Sequence, residues 1–260
     1  MLKRKITKYL EQHFASASNK ILLVEGARQV GKSYVIREVG QRLFANYVEL
    51  NFVTDNEGVQ LFKNVHTVDE FYLRLSSVAG DRLGNYNDTL IFLDEIQCYP
   101  QYLTLLKFLR EEQKYRFIAS GSALGMALRH TTSIPVGSVI IKKMYPLDFE
   151  EFLWANNYGE NAISDLYNHF LNQQSLSEEQ HEQLIELFRR YLLVGGLPDV
   201  VNEYLATHNI LNVRNLQNAI ASMYEADASQ YENNTSRKLL IRRIYAMIVS
   251  QMENKKKRIV

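Results

Sequence analysis

Short apolar runs alternate along the first part of the chain with longer segments in which apolar residues recur at helical spacing. The runs are rich in β-branched and aromatic residues, as β-strands are. Because strands that alternate with helices form parallel sheets, the pattern predicts an α/β fold around a five-stranded parallel sheet flanked by helices. The run at 90–93 has no polar alternation, which predicts a central strand covered on both faces. The predicted strands are 21–25, 47–52, 89–93, 117–119 and 139–142.

The pattern changes after about residue 146, where helical periodicity continues without intervening strands. We therefore predict a core domain at 1–158, a helical lid at 159–226 and a further unit at 227–260 that looks incomplete. This last unit opens with a helix at 239–252. The helices predicted before it are 148–158, 163–174, 177–193, 199–207 and 210–225.

Residues 26–33 match the phosphate-loop pattern G-x-x-x-x-G-K-[ST] between a predicted strand and a predicted helix. Gly26 and Gly31 allow the backbone to curl and aim N–H groups at an anion, which the start of the helix also favours. Lys32 offers a positive charge to the terminal phosphates, and Ser33 offers a hydroxyl to Mg²⁺. The alternative is an incidental glycine-rich turn. The expected nucleotide-binding residues of this segment are Gly26, Ala27, Arg28, Gln29, Val30, Gly31, Lys32, Ser33 and Tyr34.

The predicted strand at 89–93 runs directly into Asp94 and Glu95, which resembles a Walker B element. Asp94 would lie beside Ser33 at the carboxyl ends of parallel strands, so these two residues are the expected Mg²⁺ ligands. Glu95 is expected to orient and polarise the water that attacks the γ-phosphate, with Lys32 as a second catalytic residue. The alternative is that the two acids only cap the helix that follows near Pro100.

Ser120 follows the next predicted strand and is the third expected catalytic residue. The tip of that strand would lie beside the phosphate site, where a hydroxyl could sense the γ-phosphate or hold the attacking water. Serines at strand ends are also ordinary turn formers, which is the alternative interpretation.

The charge balance of the 260-residue chain is close to neutral, with 30 basic and 29 acidic residues. This balance indicates neither nucleic acid nor an anionic membrane as a partner. One basic cluster stands at 255–258, where a solvated helix end or a DNA or RNA contact are alternatives. The hydrophobic fraction of 46% is enough for one sizeable core and a smaller satellite domain.

A single cysteine, Cys98, excludes an internal disulfide and fits a reducing compartment. The six histidines form no zinc-binding pattern. Polar residues at 11–13 interrupt any signal sequence, and no apolar stretch is long enough to span a membrane. We therefore expect a soluble, cytoplasmic protein with no membrane partner.

Five motifs follow one another along the chain, at 26–33, 93–97 (Leu-Asp-Glu-Ile-Gln), 119–122 (Ala-Ser-Gly-Ser), 144–152 (Met-Tyr-Pro-Leu-Asp-Phe-Glu-Glu-Phe) and 191–198 (Tyr-Leu-Leu-Val-Gly-Gly-Leu-Pro). In this order they resemble the prokaryotic AAA-type ATPases of the AAA_14/DUF4143 group. The resemblance implies an AAA/ASCE-type P-loop ATPase core, a helical lid, a winged-helix unit and a nuclease-like C-terminal domain. Only the start of the winged-helix unit would be present here.

Three further expectations come from this resemblance. Asn51 looks like the polar residue that holds the water-polarising glutamate in an inactive pose, although a satisfied strand-end asparagine is an equal alternative. Pro198 is similar to a lid proline that packs near the adenine ring, with a plain interhelical turn as its alternative. Ser138 stands where family members commonly carry an arginine, whose loss puts fast hydrolysis in doubt. The nearest substitutes by sequence are Arg28, Arg116 and Arg129.

These features together predict an ATPase that binds ATP or ADP with Mg²⁺ and hydrolyses ATP slowly, as a switch of the lid and the C-terminal units. A nucleotide-loaded interaction module with little turnover is the first alternative, and an ATP-dependent DNA-associated factor is the second. A small-molecule kinase is less favoured because the position of Glu95 suits water as the acceptor. A protein client or DNA could bind through the C-terminal units, and the sequence leaves the oligomeric state open.

Overall fold

The fold is built around a parallel sheet with the strand order β2-β3-β4-β1-β5. The computed structural model describes residues 2–122, 137–230, 232 and 234–253. Every pair of neighbouring strands is parallel, which confirms the predicted α/β fold with a five-stranded sheet. The strands are β1 (Ile21–Glu25), β2 (Asn46–Asn51), β3 (Thr89–Asp94), β4 (Arg116–Gly121) and β5 (Val139–Lys143).

Helices cover both faces of the sheet and then continue without further strands in the described residues after β5. Capping boxes start two of them, with Thr67 and Glu70 at one helix and Asp148 and Glu151 at the other. The helices are α1 (Lys5–Ala15), α2 (Lys32–Leu43), α3 (Phe52–Glu57), α4 (Val68–Ala79), α5 (Gln101–Glu112), α6 (Phe149–Ala155), α7 (Glu160–Leu171), α8 (Glu178–Val194), α9 (Pro198–Thr207), α10 (Ile210–Gln230) and α11 (Thr235–Glu253).

All six residues of β3 are buried, as its unbroken apolar pattern predicts. Ile91 and Leu93 face one core cluster, which is rich in aromatic rings from α3, α4 and α5. Leu90 and Phe92 face a second cluster, formed with α1 and α2. The alternation places β3 in the middle of the core and holds its carboxyl end rigidly.

The register of the strands brings the polar strand ends together at one edge of the sheet. Asn51 pairs with Asp94, and Glu25 pairs with Gly121 on the far side of β4. Because all strands run in the same direction, the residues that begin β4 and β5 lie at the opposite edge.

The helices after β5 enclose a third core cluster of their own, which includes Leu147, Phe152 and Val200. These helices lie where the periodicity predicts them, with their ends shifted by a few residues. Helix α10 runs through residue 226, and the domain boundaries at 158 and 226 stay predictions. None of the described helices combines the length and the apolar character that a membrane crossing needs.

Candidate active site

The loop between β1 and α2 depends on two glycines for its shape. Gly31 has a φ of 91°, in the left-handed region that side chains other than glycine rarely adopt. A Cβ at Gly26 would lie 2.3 Å from the carbonyl oxygen of Met144, so only glycine fits there. Helix α2 begins at Lys32, so its N-terminal amides face the concave side of this loop. A glycine loop that leads into a helix N-terminus in this way favours the binding of an anion.

Lys32 is almost fully buried as a residue, and its ammonium group lies inside this loop. It donates to the carbonyl oxygens of Gly26 at 3.0 Å and Ala27 at 2.9 Å. Burial lowers the pKa of Lys32, and the nearby charges of Glu95 and Asp94 oppose this effect. A buried ammonium group whose hydrogen bonds go to carbonyl oxygens attracts an anion strongly.

Ser33 and Asp94 meet directly, although they are 61 residues apart in sequence. The Ser33 hydroxyl lies 3.0 Å from Oδ1 and 2.9 Å from Oδ2 of Asp94. Ser120 also donates to Oδ1, and Asn51 Nδ2 donates to Oδ2 at 3.1 Å. Burial raises the pKa of Asp94, while the hydrogen bonds from Ser120 and Ser33 partly oppose that shift.

Glu95 follows Asp94 and has a left-handed backbone conformation with a φ of 54°. Such a conformation costs energy for a residue other than glycine and is often found at functional sites. Its carboxylate accepts hydrogen bonds from the Ser122 hydroxyl at 3.0 Å and from the Gln97 amide. Two neighbouring side chains therefore hold the Glu95 carboxylate in position.

Asn51 makes no hydrogen bond to Glu95, although the family resemblance implies such an interaction. Its Nδ2 binds Asp94, and its Oδ1 accepts from the backbone N–H of Thr54 at 3.0 Å as the N-cap of α3. The structure thus agrees with the alternative of a satisfied asparagine at the strand end.

The two acids do not cap the next long helix. Helix α5 begins at Gln101, its N-cap is Pro100, and no side chain caps it. The capping alternative for Asp94 and Glu95 therefore fails. Ser120 is fully buried against Asp94, so it supports that carboxylate and does not face open space.

A cavity of about 430 Å³ adjoins the phosphate loop on the side of α9. Pro198 begins α9, and its Cγ lies 3.5 Å from the place that a Cβ on Gly31 would occupy. This position suits the expected contact of Pro198 with a nucleotide base, which stays a prediction. Further residues that line the cavity are Leu2, Arg4, Tyr34 and Asn202.

Position 138 lies at the wrong edge of the sheet for a catalytic arginine. Ser138 precedes β5, and its carbonyl accepts from the N–H of Ile21 at the start of β1. Because β5 separates it from the carboxyl ends by a strand length, an arginine there could not reach the phosphate site of the same molecule. The structure therefore does not support the expectation that serine in place of arginine at position 138 slows hydrolysis at the site of the same molecule.

The three substitute arginines have different placements. Arg116 begins β4, donates to the carbonyl of Phe14 at 2.5 Å and lies at the same opposite edge. Arg129 lies outside the described residues. Arg28 belongs to the phosphate loop itself, and its Nη1 lies 2.5 Å from Oδ1 of Asp227.

Several contacts of the site were not predicted from the sequence. Gln97 and Ser122 bind Glu95. Both lie within motifs, 93–97 and 119–122, in which roles had been predicted from the sequence only for other residues. Arg4 donates to the carbonyl of Val30 in the loop at 2.8 Å, and nothing in the local sequence indicates this contact. The local sequence also gives no indication that Arg28 pairs with Asp227, because 199 residues separate them.

The residues around Ser33 fit a magnesium ion by their chemistry. A serine hydroxyl and a buried carboxylate are hard oxygen donors, the type that Mg²⁺ prefers beside phosphates. In the part of the chain that the structure describes, no three His, Cys, Asp or Glu side chains gather into a metal-binding cluster. An ion at Ser33 and Asp94 would therefore complete its shell with phosphate oxygens and water.

A parallel sheet with a phosphate loop after β1 and paired acids at the end of β3 defines the P-loop ATPase fold. The model of an AAA domain family, AAA_14, matches residues 18–153, which is more than half of the chain. The chain therefore belongs to this AAA domain family, and the motif-based expectation is confirmed. A second family model, a domain of unknown function named DUF8612, matches residues 185–258.

The chain is similar to solved structures at low sequence identity, and the first of these has the same fold. The Walker-type ATPase paby2304 of Pyrococcus abyssi has a TM-score of 0.53 and 12% identity, over 91% of this chain and 77% of that chain. AMPPCP-bound DnaA from Aquifex aeolicus has a TM-score of 0.44 and 12% identity, over 96% of this chain and 78% of that chain. A search of curated proteins found no match.

Proposed function

We propose that this protein binds ATP with Mg²⁺ at the phosphate loop and hydrolyses it, and that the bound nucleotide sets the arrangement of the helical lid and the C-terminal helices. The observation that carries the proposal is the contact of Ser33 with Asp94 at 2.9 and 3.0 Å, beside the buried Lys32. Membership of the AAA domain family supports nucleotide binding and ATPase activity.

Phosphate binding follows from the geometry of the loop. The N–H groups from Gly26 to Ser33 and the start of α2 would surround the β- and γ-phosphates. Lys32 would exchange the carbonyls of Gly26 and Ala27 for phosphate oxygens, which satisfy its charge better. Ser33 and Asp94 would hold Mg²⁺, which supplies neutralisation of the phosphate charge when bound.

Glu95 is the residue that would activate the attacking water. Its carboxylate would accept a proton from the attacking water once it is free to face the γ-phosphate. In the structure Gln97 and Ser122 hold that carboxylate. Hydrolysis would therefore need Glu95 to leave these donors, which makes slow turnover the expected behaviour. Ser120 keeps Asp94 in place through its buried hydrogen bond.

The cavity beside the loop suits the adenosine part of the nucleotide. It is bounded by the exposed ring of Tyr34 and by Pro198, the first residue of α9. A base in this cavity would contact the core and the lid together. Nucleotide binding would thereby couple the proposed core at 1–158 to the proposed lid at 159–226.

The test compares ATP turnover of the intact protein with that of Lys32→Ala and Glu95→Gln. We expect Lys32→Ala to lose nucleotide binding and Glu95→Gln to bind ATP but to lose nearly all turnover. Saturating Mg-ATP at 100 times its dissociation constant should stabilise the intact protein by about 2.7 kcal/mol. Equal turnover in all three proteins would refute hydrolysis at this site, and the absence of any thermal shift would refute nucleotide binding.

A nucleotide-loaded interaction module is the second candidate function. The observation that favours it is the pair of hydrogen bonds that Oε2 of Glu95 accepts, which holds the proposed base in one position. This alternative predicts purified protein with stoichiometric bound nucleotide and no measurable turnover. The DNA-associated alternative was based on the implied winged-helix unit and on the basic residues 255–258, which lie outside the described residues. No observation in the described residues favours it.

A further inference from the structure

Helix α10 reaches back across the molecule and contacts the phosphate loop at Arg28. The guanidinium Nη1 of Arg28 lies 2.5 Å from Oδ1 of Asp227, and both side chains are more than two-thirds buried, with 31% and 21% exposure. The hydroxyl of Tyr224, one helical turn earlier, donates to the backbone carbonyl of Arg28 at 2.5 Å. One face of α10 therefore binds both the side chain and the backbone of the same loop residue.

A third contact joins the residue after Arg28 to the residue before Tyr224 and so extends this interface. The side-chain amide of Gln29 lies 3.4 Å from the sulfur of Met223. Residues 28 and 29 of the loop are thus covered by residues 223, 224 and 227 of α10. A change in the loop at this point would act on α10 directly.

Arg28 lies close to the expected position of the terminal phosphate. It directly follows Ala27, whose carbonyl holds the Lys32 ammonium. The positive charges of Arg28 and Lys32 are close enough to act on each other. Burial raises the pKa of Cys98, three residues after Glu95, to about 11, and Arg28 counteracts that shift. The guanidinium is therefore within Coulombic range of both halves of the site.

Of the substitute arginines within the described residues, Arg28 is the one at the carboxyl edge of the sheet, and Arg129 lies outside those residues. Arg116 lies at the opposite edge, and the residue at 138 lies there too. An ATPase site gains strongly from a guanidinium on the γ-phosphate, because the planar group binds phosphate oxygens in a bidentate manner.

We propose that Arg28 is the catalytic arginine that neutralises the γ-phosphate, and that Asp227 holds it in the resting protein. ATP and α10 then compete for one guanidinium. This inference rests on the proposed function, since it assigns a partner to the γ-phosphate of the same site. It also identifies α10, within the region matched by the DUF8612 model, as the element that responds to the nucleotide.

The γ-phosphate of ATP should bind the Arg28 guanidinium more strongly than Asp227 does. A phosphate carries more negative charge than a carboxylate and offers more acceptor oxygens. The partly exposed pair of Arg28 and Asp227 is screened by solvent and is therefore weak enough to exchange. ADP has no γ-phosphate, so Asp227 keeps Arg28 when ADP is bound. ATP releases α10 from the loop, and ADP leaves it docked.

Hydrogen exchange on the intact protein tests the release without any turnover. Peptides that contain residues 222–230 are compared with saturating Mg-AMPPCP, with saturating Mg-ADP and without nucleotide. We expect exchange in these peptides to rise at least about threefold with AMPPCP and to stay unchanged with ADP. Equal protection in all three states, with nucleotide binding verified by a thermal shift, would overturn the inference and leave the proposed function standing. If neither nucleotide binds, both fail.

A double-mutant cycle then tests the competition itself. We expect Arg28→Ala to lower kcat by about 100-fold or more. Asp227→Asn should raise kcat by about two- to fivefold, the range of a weak ion pair. In the Arg28→Ala background, Asp227→Asn should have no effect on kcat. An equal rise in that background, or full activity of Arg28→Ala while Glu95→Gln is inactive, would refute the role of Arg28.

Two further variants distinguish the proposed role of α10 from a general loss of structure. Glu186→Gln breaks an exposed ion pair with Arg190 within α8, which involves no residue of the phosphate loop or of α10, and should leave kcat and exchange in α10 unchanged. Tyr224→Phe removes only the hydroxyl that binds the Arg28 carbonyl, so it is the milder variant if Asp227→Asn unfolds. It should raise exchange at 222–230 without nucleotide; no rise would contradict the docking role of α10.

Discussion

The backbone N–H of Leu147 donates to the carbonyl oxygen of Gly196 at 2.6 Å, which joins the segment after β5 to the turn before α9. A Cβ at Gly196 would lie 2.1 Å from the carbonyl oxygen of Leu147, so the two backbones can meet only because residue 196 has no side chain. The hydroxyl of Tyr191 binds the same carbonyl at 2.9 Å. Two motifs that are separate in sequence thus form one joint between the sheet and the helices.

Gly196→Ala should disrupt this joint. The added methyl must push two backbone segments apart, and such overpacking costs about 1–3 kcal/mol. Denaturant unfolding would measure the loss. Gly137→Ala is the control, because nothing in the described residues lies within 4 Å of a Cβ there, and it should change stability by less than about 0.5 kcal/mol. Equal losses in both variants would show that the contact with Leu147 is not the cause.

Ser122→Ala and Ser120→Ala should change ATP turnover in opposite directions. Ser122 ties down Glu95, so its loss frees the carboxylate and should raise kcat by up to about tenfold, the lower end for a hydrogen bond to a charged group. Ser120 supports the buried Asp94, so its loss should raise the Mg²⁺ concentration needed for half-maximal turnover and lower kcat. Steady-state kinetics across Mg²⁺ concentrations would measure both, and a fall of kcat in Ser122→Ala would contradict the inactive pose of Glu95.

The stability of the nucleotide-free protein should depend on pH through Asp94. Burial raises the pKa of Asp94 in the folded state, so its favourable contribution is present below the unfolded pKa and is lost as pH rises through the folded pKa. Asp94→Asn removes this penalty. In EDTA the Tm of Asp94→Asn should exceed that of the intact protein at neutral pH, and the difference should shrink as pH falls toward 4.

Asp88→Asn gives the opposite dependence and serves as the control. Hydrogen bonds from Thr89 and the Asn85 backbone lower the pKa of Asp88, so its contribution is present at neutral pH and is lost as pH falls through its folded pKa. The Tm of Asp88→Asn should therefore lie below that of the intact protein at neutral pH and approach it in acid. The same sign for both variants would contradict the assignment of Asp94.

Arg4→Ala should be strongly destabilising because it leaves a buried carboxylate without its partner. Arg4 Nε lies 3.2 Å from Oε1 of Glu151, and both side chains are about 5% exposed. Breaking such a pair by removing one partner costs about 3–5 kcal/mol. Arg4 also holds the carbonyl of Val30, so nucleotide affinity should fall as well. Lys3→Ala breaks the exposed pair with Glu160 and should cost almost nothing in either measurement.

The local features of the site could be predicted from the sequence. The phosphate loop is a run of consecutive residues whose glycines, lysine and serine carry its geometry, and Asp94 follows a strand that is recognisable by its apolar run. The meeting of Ser33 and Asp94 follows because parallel strands place their carboxyl ends at one edge.

Other contacts depended on strand order and register, which the periodicity does not specify. Asn51 lies opposite Asp94 because β2 pairs with β3 in that register, and this placed it away from Glu95. Ser138 lies at the far edge because β5 runs parallel to β1. A sequence shows that a polar residue stands near a strand but not which neighbour shares its edge.

The sequence by itself determined the class of fold, the phosphate loop and the pair of acids, because each depends on the backbone geometry of a short, continuous segment. Only the tertiary structure decided that Gln97 and Ser122 hold Glu95 and that Asp227 holds Arg28. The second pair spans 199 residues. Such a contact exists only after the helices have packed on the sheet, so hydrophobic spacing contains no signal for it.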